Sequence, residues 1–303
     1  MNGRRYAVYD VFARTPLAGN PLAVVFDGDE LEDRRMQAIA AEFALSETVF
    51  VQPPTDSRHM ARLRIFTPAR ELPFAGHPTV GTAVALFEAR GREGAAGIMV
   101  LEENVGPVRC VVSKTDADVF AEFDLPRRSE PFAFDVAEEA VVAALGLEPG
   151  DVGFENHVVS GWSAGVPFAL VPVASLDAAR RIRPDPRLWR ELVGDREGAA
   201  GPAIYAYCRG GVDPDTAFHA RMFAPDMGIG EDPATGAAVA ALSGAIVHFD
   251  RPVDGPQRCW IEQGVEMGRP SRIRLELDIH AGAPTSARIG GHAVKVAEGT
   301  LYL

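Results

Sequence analysis

The chain has 303 residues, 47% hydrophobic and 24% charged, with 30 Lys and Arg against 42 Asp and Glu, a formal net charge of −12. The composition is that of a soluble globular protein with length enough for two cores, and the acidic balance argues against nucleic acid and anionic membrane as partners, since both are bound through basic patches. Cys110, Cys208 and Cys259 are odd in number and lack CxxC spacing, which suits a reducing cytoplasm, and no apolar run of signal-peptide length opens the chain.

In chain order, the pattern predicts strands over 6–12 and 21–26 around a turn-forming stretch at 15–20. A helix follows where Met36, Ile39, Ala40 and Phe43 fall at i, i+3, i+4 and i+7. Strands are predicted over 48–51 and 59–66, a helix over 78–89, and strands over 99–102, 108–113 and 119–123. Asp124-Leu125-Pro126 and Pro131 break the pattern. The expected division is therefore an N-terminal lobe, 1–126, and a C-terminal lobe, 127–303, whose last strands are able to return to the first. The second lobe reads as a helix over 136–145, strands over 157–160 and 168–173, a helix over 187–193, strands over 203–208 and 217–223, a helix over 233–248, and strands over 260–263, 271–277, 287–289 and 293–296. The uncharged stretches 156–176 and 233–249 carry prolines and polar residues, or Ala and Gly over too short a run, and read as core rather than membrane spans.

Segments of the two halves resemble each other. Arg64-Ile65-Phe66-Thr67-Pro68 precedes Gly76-His77-Pro78-Thr79-Val80-Gly81; Arg221-Met222-Phe223-Ala224-Pro225 precedes Glu231-Asp232-Pro233-Ala234-Thr235-Gly236. Upstream, Gly19-Asn20-Pro21-Leu22-Ala23-Val24-Val25 matches Gly165-Val166-Pro167-Phe168-Ala169-Leu170-Val171. The chain reads as a duplicated domain. Setting Pro78 against Pro233 makes His77 and Asp232 equivalent, each just before a helix whose first residue is proline. Both helices are rich in Ala, Gly, Val and Thr with almost no charge, so each must be surrounded; a curved sheet around a central helix is expected in each half.

A helix N-terminus offers free N–H groups to an anion, which directs attention to His77 and Asp232, with Gly76 and Gly230 allowing close backbone approach. Asp232 has an ordinary alternative use as an N-cap; His77 is not a preferred cap. Glu47, between Leu45 and Val49, is either a carboxyl whose apolar surroundings suit it to general base work or a solvated loop glutamate, the commoner fate of a charged side chain. Gly76 to Gly81 lacks the Gly-Lys-Ser/Thr ending of a phosphate loop. The seven histidines form no metal-ligand spacing with Cys or Asp. Only Lys114 and Lys295 are lysines, neither near the repeated segments, so imine and pyridoxal chemistry are not expected. The cysteines read as small buried hydrophobes.

Leu17-Ala18-Gly19-Asn20-Pro21-Leu22-Ala23-Val24, Leu45-Ser46-Glu47-Thr48, Phe74-Ala75-Gly76-His77-Pro78-Thr79, Glu231-Asp232-Pro233-Ala234-Thr235-Gly236 and Glu262-Gln263-Gly264 with Met267-Gly268-Arg269-Pro270-Ser271 resemble the phenazine-biosynthesis isomerase (PhzF-like) family over essentially the whole chain. The resemblance implies an α+β, diaminopimelate-epimerase-like fold: two pseudo-symmetric lobes, each a curved sheet around a central helix, with the active site between them. It implies Glu47 as catalytic acid/base, His77 and Asp232 as partners in proton transfer and substrate positioning, and Gly76, Pro78, Thr79, Gly236 and Ala237 as substrate-binding positions. It implies a cytoplasmic homodimer without cofactor or metal, acting on a small carboxylated metabolite. The cofactor-free epimerases of this fold carry cysteines at the two helix starts, which this chain lacks. Where the phenazine enzyme has a substrate-binding serine after Pro-Ala-Thr-Gly, this chain has Ala237. The expected function is a cofactor-independent isomerase moving a proton between carbons; an epimerase or lyase on the same scaffold, or a small-molecule binding protein without turnover, are the rival readings.

Overall fold

A computed structural model describes residues 3–91, 96–115, 118–194 and 201–303. It forms two units, Met1–Pro126 with Arg288–Leu303, and Arg127–Ala287. The first unit contains β1 (Gly3–Val11), β2 (Asn20–Val25), α1 (Asp33–Phe43), β3 (Glu47–Gln52), β4 (Ala61–Phe66), β5 (Glu71–Leu72), α2 (Gly76–Ala89), β6 (Ala96–Glu103), β7 (Gly106–Lys114) and β8 (Val119–Asp124). The second contains β9 (Glu130–Phe132), α3 (Glu138–Leu145), β10 (Ser160–Ser163), β11 (Pro167–Pro172), α4 (Leu176–Arg181), α5 (Pro186–Val193), β12 (Ala203–Arg209), β13 (Phe218–Ala224), β14 (Ile229–Asp232), α6 (Gly236–Asp250), β15 (Gly255–Gln263) and β16 (Ser271–His280). The last strand, β17 (Ala283–Tyr302), leaves the second unit and completes the first.

In the first unit β1, β2, β3, β4, β6, β7, β8 and β17 pair in that order, and β17 pairs back onto β1, so the sheet closes into an eight-stranded barrel without a free edge. Two of its pairings are parallel, β2 with β3 and β4 with β6. Parallel neighbours need a crossover; α1 supplies one and α2 the other. α1 lies outside, with Met36, Ile39 and Ala40 against Val25, Phe50 and Phe66. α2 lies inside, buried continuously from Gly76 to Phe87, as a helix without a polar face requires. Gly81 makes this possible: a Cβ there would stand 2.6 Å from the Leu22 and Val11 side chains.

The second unit repeats the wiring. β10 to β13 follow the pattern of β1 to β4, including the parallel step from β11 to β12, and β13 joins β15 in parallel across α6. α6 is buried at Gly236 and from Ala238 to Ile246. A separate core, with Val141, Leu145, Val171, Trp189 and Ile204, seats α3, α4 and α5 on the other face of β11 and β12. Among the described residues, no helix is long and apolar enough to cross a membrane.

The structure corrects the internal alignment. β5 ends at Leu72 and α2 begins at Gly76; β14 ends at Asp232 and α6 begins at Gly236. Leu72 pairs with Ile65, the residue after Arg64, and Asp232 pairs with Met222, the residue after Arg221. Arg64 bonds Glu71 as Arg221 bonds Glu231. The equivalent of Asp232 is therefore Leu72, and that of His77 is Ala237. The sequence match of Pro78 with Pro233 fell five residues out of register because a buried helix rich in Gly, Ala and Thr resembles itself at several offsets. For the same reason Pro78 is the third residue of α2 and Pro233 lies three residues before α6, not at the first helical position of each. The two strands predicted over 287–289 and 293–296 are one: the Gly290-Gly291 pair, which broke the pattern, is paired with Glu122 and Ala121 of β8.

Candidate active site

Glu47 opens β3. Its place is set by the end of α1, where Ala44 turns left-handed at φ 52° and its N–H bonds Ala40, and by the parallel pairing of Glu47 with Leu22. Pro21, one residue earlier on β2, accepts a hydrogen bond from the His77 ring; lacking an N–H, it does so through its carbonyl. The other ring nitrogen, Nε2, lies 3.3 Å from Glu47 Oε2, the two side chains being 5% and 16% exposed. Burial pushes His77 down to about 3, the Pro21 carbonyl opposing only in part, so the imidazole is neutral at physiological pH. The proton given to Pro21 fixes the tautomer and leaves Nε2 unprotonated beside Glu47. Glu47 is thus no solvated loop glutamate.

The second unit holds the inert counterparts. Phe168 pairs with Ala203 as Leu22 pairs with Glu47, so Ala203 stands for Glu47 as Ala237 stands for His77. One copy of the duplicated domain carries the Glu47–His77 pair and the other has alanine at both places.

What the second unit carries instead is Asp232. It ends β14 and is not an N-cap; that place belongs to Thr235, whose side chain makes no capping bond. The Asp232 carboxylate accepts the Thr235 hydroxyl at 2.5 Å. Gln263 donates to the Asp232 carbonyl at 2.7 Å and to Thr235 Oγ1 at 3.0 Å, and accepts from the Thr235 N–H at 3.2 Å. Gly264 follows at φ 75°, where a Cβ would strike the Pro233 carbonyl at 2.6 Å. Glu262 takes His219 Nδ1 at 2.6 Å, and its partner Glu266 takes Nε2 at 3.1 Å. Burial pulls His219 down, yet the two carboxylates raise it to about 9. The Glu262-Gln263-Gly264 motif therefore acts as a clamp on the loop that presents Asp232. Its sequence signal was the motif itself, without a role attached.

Of the other expected positions, Gly76 and Pro78 are buried in the first turn of α2, Gly236 is buried at the start of α6, and Ala237 beside it is half-buried. Thr79 is 0% exposed, its hydroxyl bonds Ala75 and Glu103, and its N–H bonds Ala75.

Chain distance concealed one cluster of metal-ligating types, Glu155, His157 and Asp250. The Arg209 guanidinium bonds all three, so a fixed cation already occupies their centre. Burial raises the thiols of Cys208 and Cys259 to about 12 and that of Cys110 well above its ordinary value; none is poised as a thiolate base.

Residues 9–299 match the phenazine biosynthesis-like protein family. A protein of Mesorhizobium japonicum named an uncharacterized isomerase is 58% identical over the full length of both chains. The trans-2,3-dihydro-3-hydroxyanthranilate isomerase of Pseudomonas aeruginosa is 36% identical over 99% of each. The crystal structure of a Bacillus anthracis phenazine biosynthesis protein of the PhzF family superimposes with a TM-score of 0.88 at 27% identity, covering both chains completely. With its duplicated diaminopimelate-epimerase-like fold, the chain belongs to the phenazine biosynthesis-like family and is an isomerase of the PhzF-like type.

Proposed function

We propose that this isomerase works without a cofactor, moving a proton between carbons of a small carboxylated metabolite, with Glu47 as acid/base and His77 and Asp232 as its partners. The observation that carries the reading is the neutral His77 ring facing Glu47 at 3.3 Å inside a buried site. As a carboxylate, Glu47 takes a proton from a C–H next to a double bond. The electron pair passes into the conjugated system and towards the substrate's carboxyl group. The proton now on Glu47 has the His77 lone pair as its acceptor, which stabilises the intermediate state. Return of that proton to a different carbon moves the double bond and regenerates the carboxylate, so protons and electrons balance. Asp232, already oriented by Thr235 and Gln263, accepts a polar hydrogen of the substrate. The N-termini of α2, at Gly76 and Pro78, and of α6, at Gly236 and Ala237, favour a carboxylate.

The test is deuterium uptake at carbon in heavy water with trans-2,3-dihydro-3-hydroxyanthranilate, the compound in the relative's name, followed by NMR. Ala237 offers no hydroxyl to that substrate, so Ala237→Ser should raise kcat/KM by about fivefold, the worth of one hydrogen bond of about 1 kcal/mol. Absence of Glu47-dependent exchange with this compound and with a panel of related unsaturated carboxylates would favour a binding protein instead.

We further propose a cytoplasmic homodimer, following the family resemblance. Light scattering at micromolar concentration should return twice the chain mass; the mass of one chain would rule the dimer out.

A further inference from the structure

Glu103 ends β6 and is 7% exposed. Its Oε1 lies 2.7 Å from Thr79 Oγ1, and the same Oγ1 lies 2.7 Å from the Ala75 carbonyl. The hydroxyl has one hydrogen to give. The carbonyl can only accept, so if the hydrogen points there, the contact with Glu103 needs a hydrogen from Glu103. Oε2 has no hydrogen-bond partner among the described residues. A carboxylate in that position would bury an unsolvated charge, whereas a neutral acid leaves only one acceptor unfilled.

The second unit gives an independent reading of this place. Glu102 accepts the N–H groups of Thr55 and Asp56 and meets His59 Nδ1. Glu262 accepts those of Val212 and Asp213 and meets His219 Nδ1. Glu102 pairs in parallel with Arg62 of β4, and Glu262 with His219 of β13. The residue after each is therefore equivalent: Glu103 in one unit, Gln263 in the other. Gln263 is a neutral side chain of the same length, with an amide N–H to give; its bond goes to Thr235 Oγ1, on the residue equivalent to Ala75.

We propose that Glu103 is a carboxylic acid in the folded protein and a positioning residue. The hydrogen it gives Thr79 holds the first turn of α2, and with it the His77 ring, in place. This rests on the reading of His77 as partner of Glu47. Burial raises Glu103 to about 8, against the opposing bond from Thr79, in accord with the geometry. On the elements packed around it, α2, β4 and β7, Cys110 of β7 is a titratable group that feels its charge, and burial keeps that thiol neutral.

Between an unfolded value near 4.5 and a folded value near 8, the native state holds a proton that the unfolded chain has released. Stability must then fall as pH rises through that window. Glu103→Gln keeps the donor and removes the titration. Its melting temperature should match or exceed the wild type at pH 7, and its advantage should widen from pH 5 to 8 and level off above. In wild-type protein labelled with ¹³C at glutamate Cδ, one carboxyl should titrate near pH 8 and be missing from the Glu103→Gln spectrum. Glu103→Leu, which has no donor, should melt lower and shift the His77 ring resonances. A Glu103 carboxyl already ionised at pH 6, or a Glu103→Gln variant as unstable as Glu103→Leu, would overturn the proposal. If Glu103→Leu left the His77 ring resonances unmoved, the positioning role would be gone while the Glu47 chemistry stood, because none of these readouts uses turnover.

Discussion

Glu47→Gln should lower turnover by at least about 100-fold and by as much as about 10,000-fold, the range that a positioned general acid–base group contributes. The amide has nearly the shape of the carboxyl and brings a hydrogen that His77 Nε2, 3.3 Å away, can accept. The fold and the seat of the ring should survive, with a change in stability within about 1 kcal/mol. What the amide cannot do is take a proton from carbon. The fall should therefore lie in kcat, with KM little changed, and deuterium exchange into bound substrate should vanish with it. His77→Gln and Asp232→Asn should act differently, because in the proposed mechanism each also orients the substrate; both should raise KM as well as lower kcat. A Glu47→Gln variant that exchanges deuterium as fast as the wild type would end the assignment of Glu47 as base.

How far the sequence anticipated this arrangement depends on which physical signal each part leaves. The two central helices were legible because a run without charge, from Gly76 to Phe87 or from Gly236 to Ile246, admits only a surrounded position. Their internal alignment was not, because small residues match at many offsets. It is fixed by strand pairing and by the Arg64–Glu71 and Arg221–Glu231 bonds, which are contacts and leave no periodicity. Glu47 was ambiguous in the chain for the same reason: its burial comes from the parallel pairing with β2 and from His77, thirty residues away. Glu103 left no trace in composition at all. A charged letter at a strand end reads as solvated, whereas Glu103 is 7% exposed with Oε2 unpartnered among the described residues.

Arg221→Met should destabilise the protein by about 3–5 kcal/mol, the cost of removing one partner from a buried ion pair. Arg221 is 4% exposed. Its Nε and Nη2 bond the two Glu231 oxygens at 2.8 Å, its Nη1 closes the end of α4 through the carbonyls of Ala179 at 2.8 Å and Ile182 at 3.2 Å, and its plane lies over the Phe223 ring at 4.8 Å. Methionine fills part of the volume but leaves a largely buried carboxylate without its two donors; the carbonyls of Ala179 and Ile182 lose one donor each and keep the Ile182 N–H and the Arg183 guanidinium. Adding Glu231→Gln should recover part of the loss by removing the stranded charge, whereas independent sites would show simple additivity. Arg64→Met, the equivalent change in the first unit, should cost less, because Asp33, one of its two acidic partners, is 81% exposed and surface pairs contribute about 0–1 kcal/mol. Urea denaturation of Arg221→Met, Glu231→Gln, the two combined, and Arg64→Met measures these differences. A loss below about 1 kcal/mol for Arg221→Met would show the pair to be no stronger than a surface contact. The effect should also reach the chemistry: Glu231 adjoins Asp232 on β14, and β14 is held to β13 by the pairing of Asp232 with Met222, the residue after Arg221. The folded fraction of Arg221→Met should therefore show a raised KM, since the strand that presents Asp232 has lost the bond beside it.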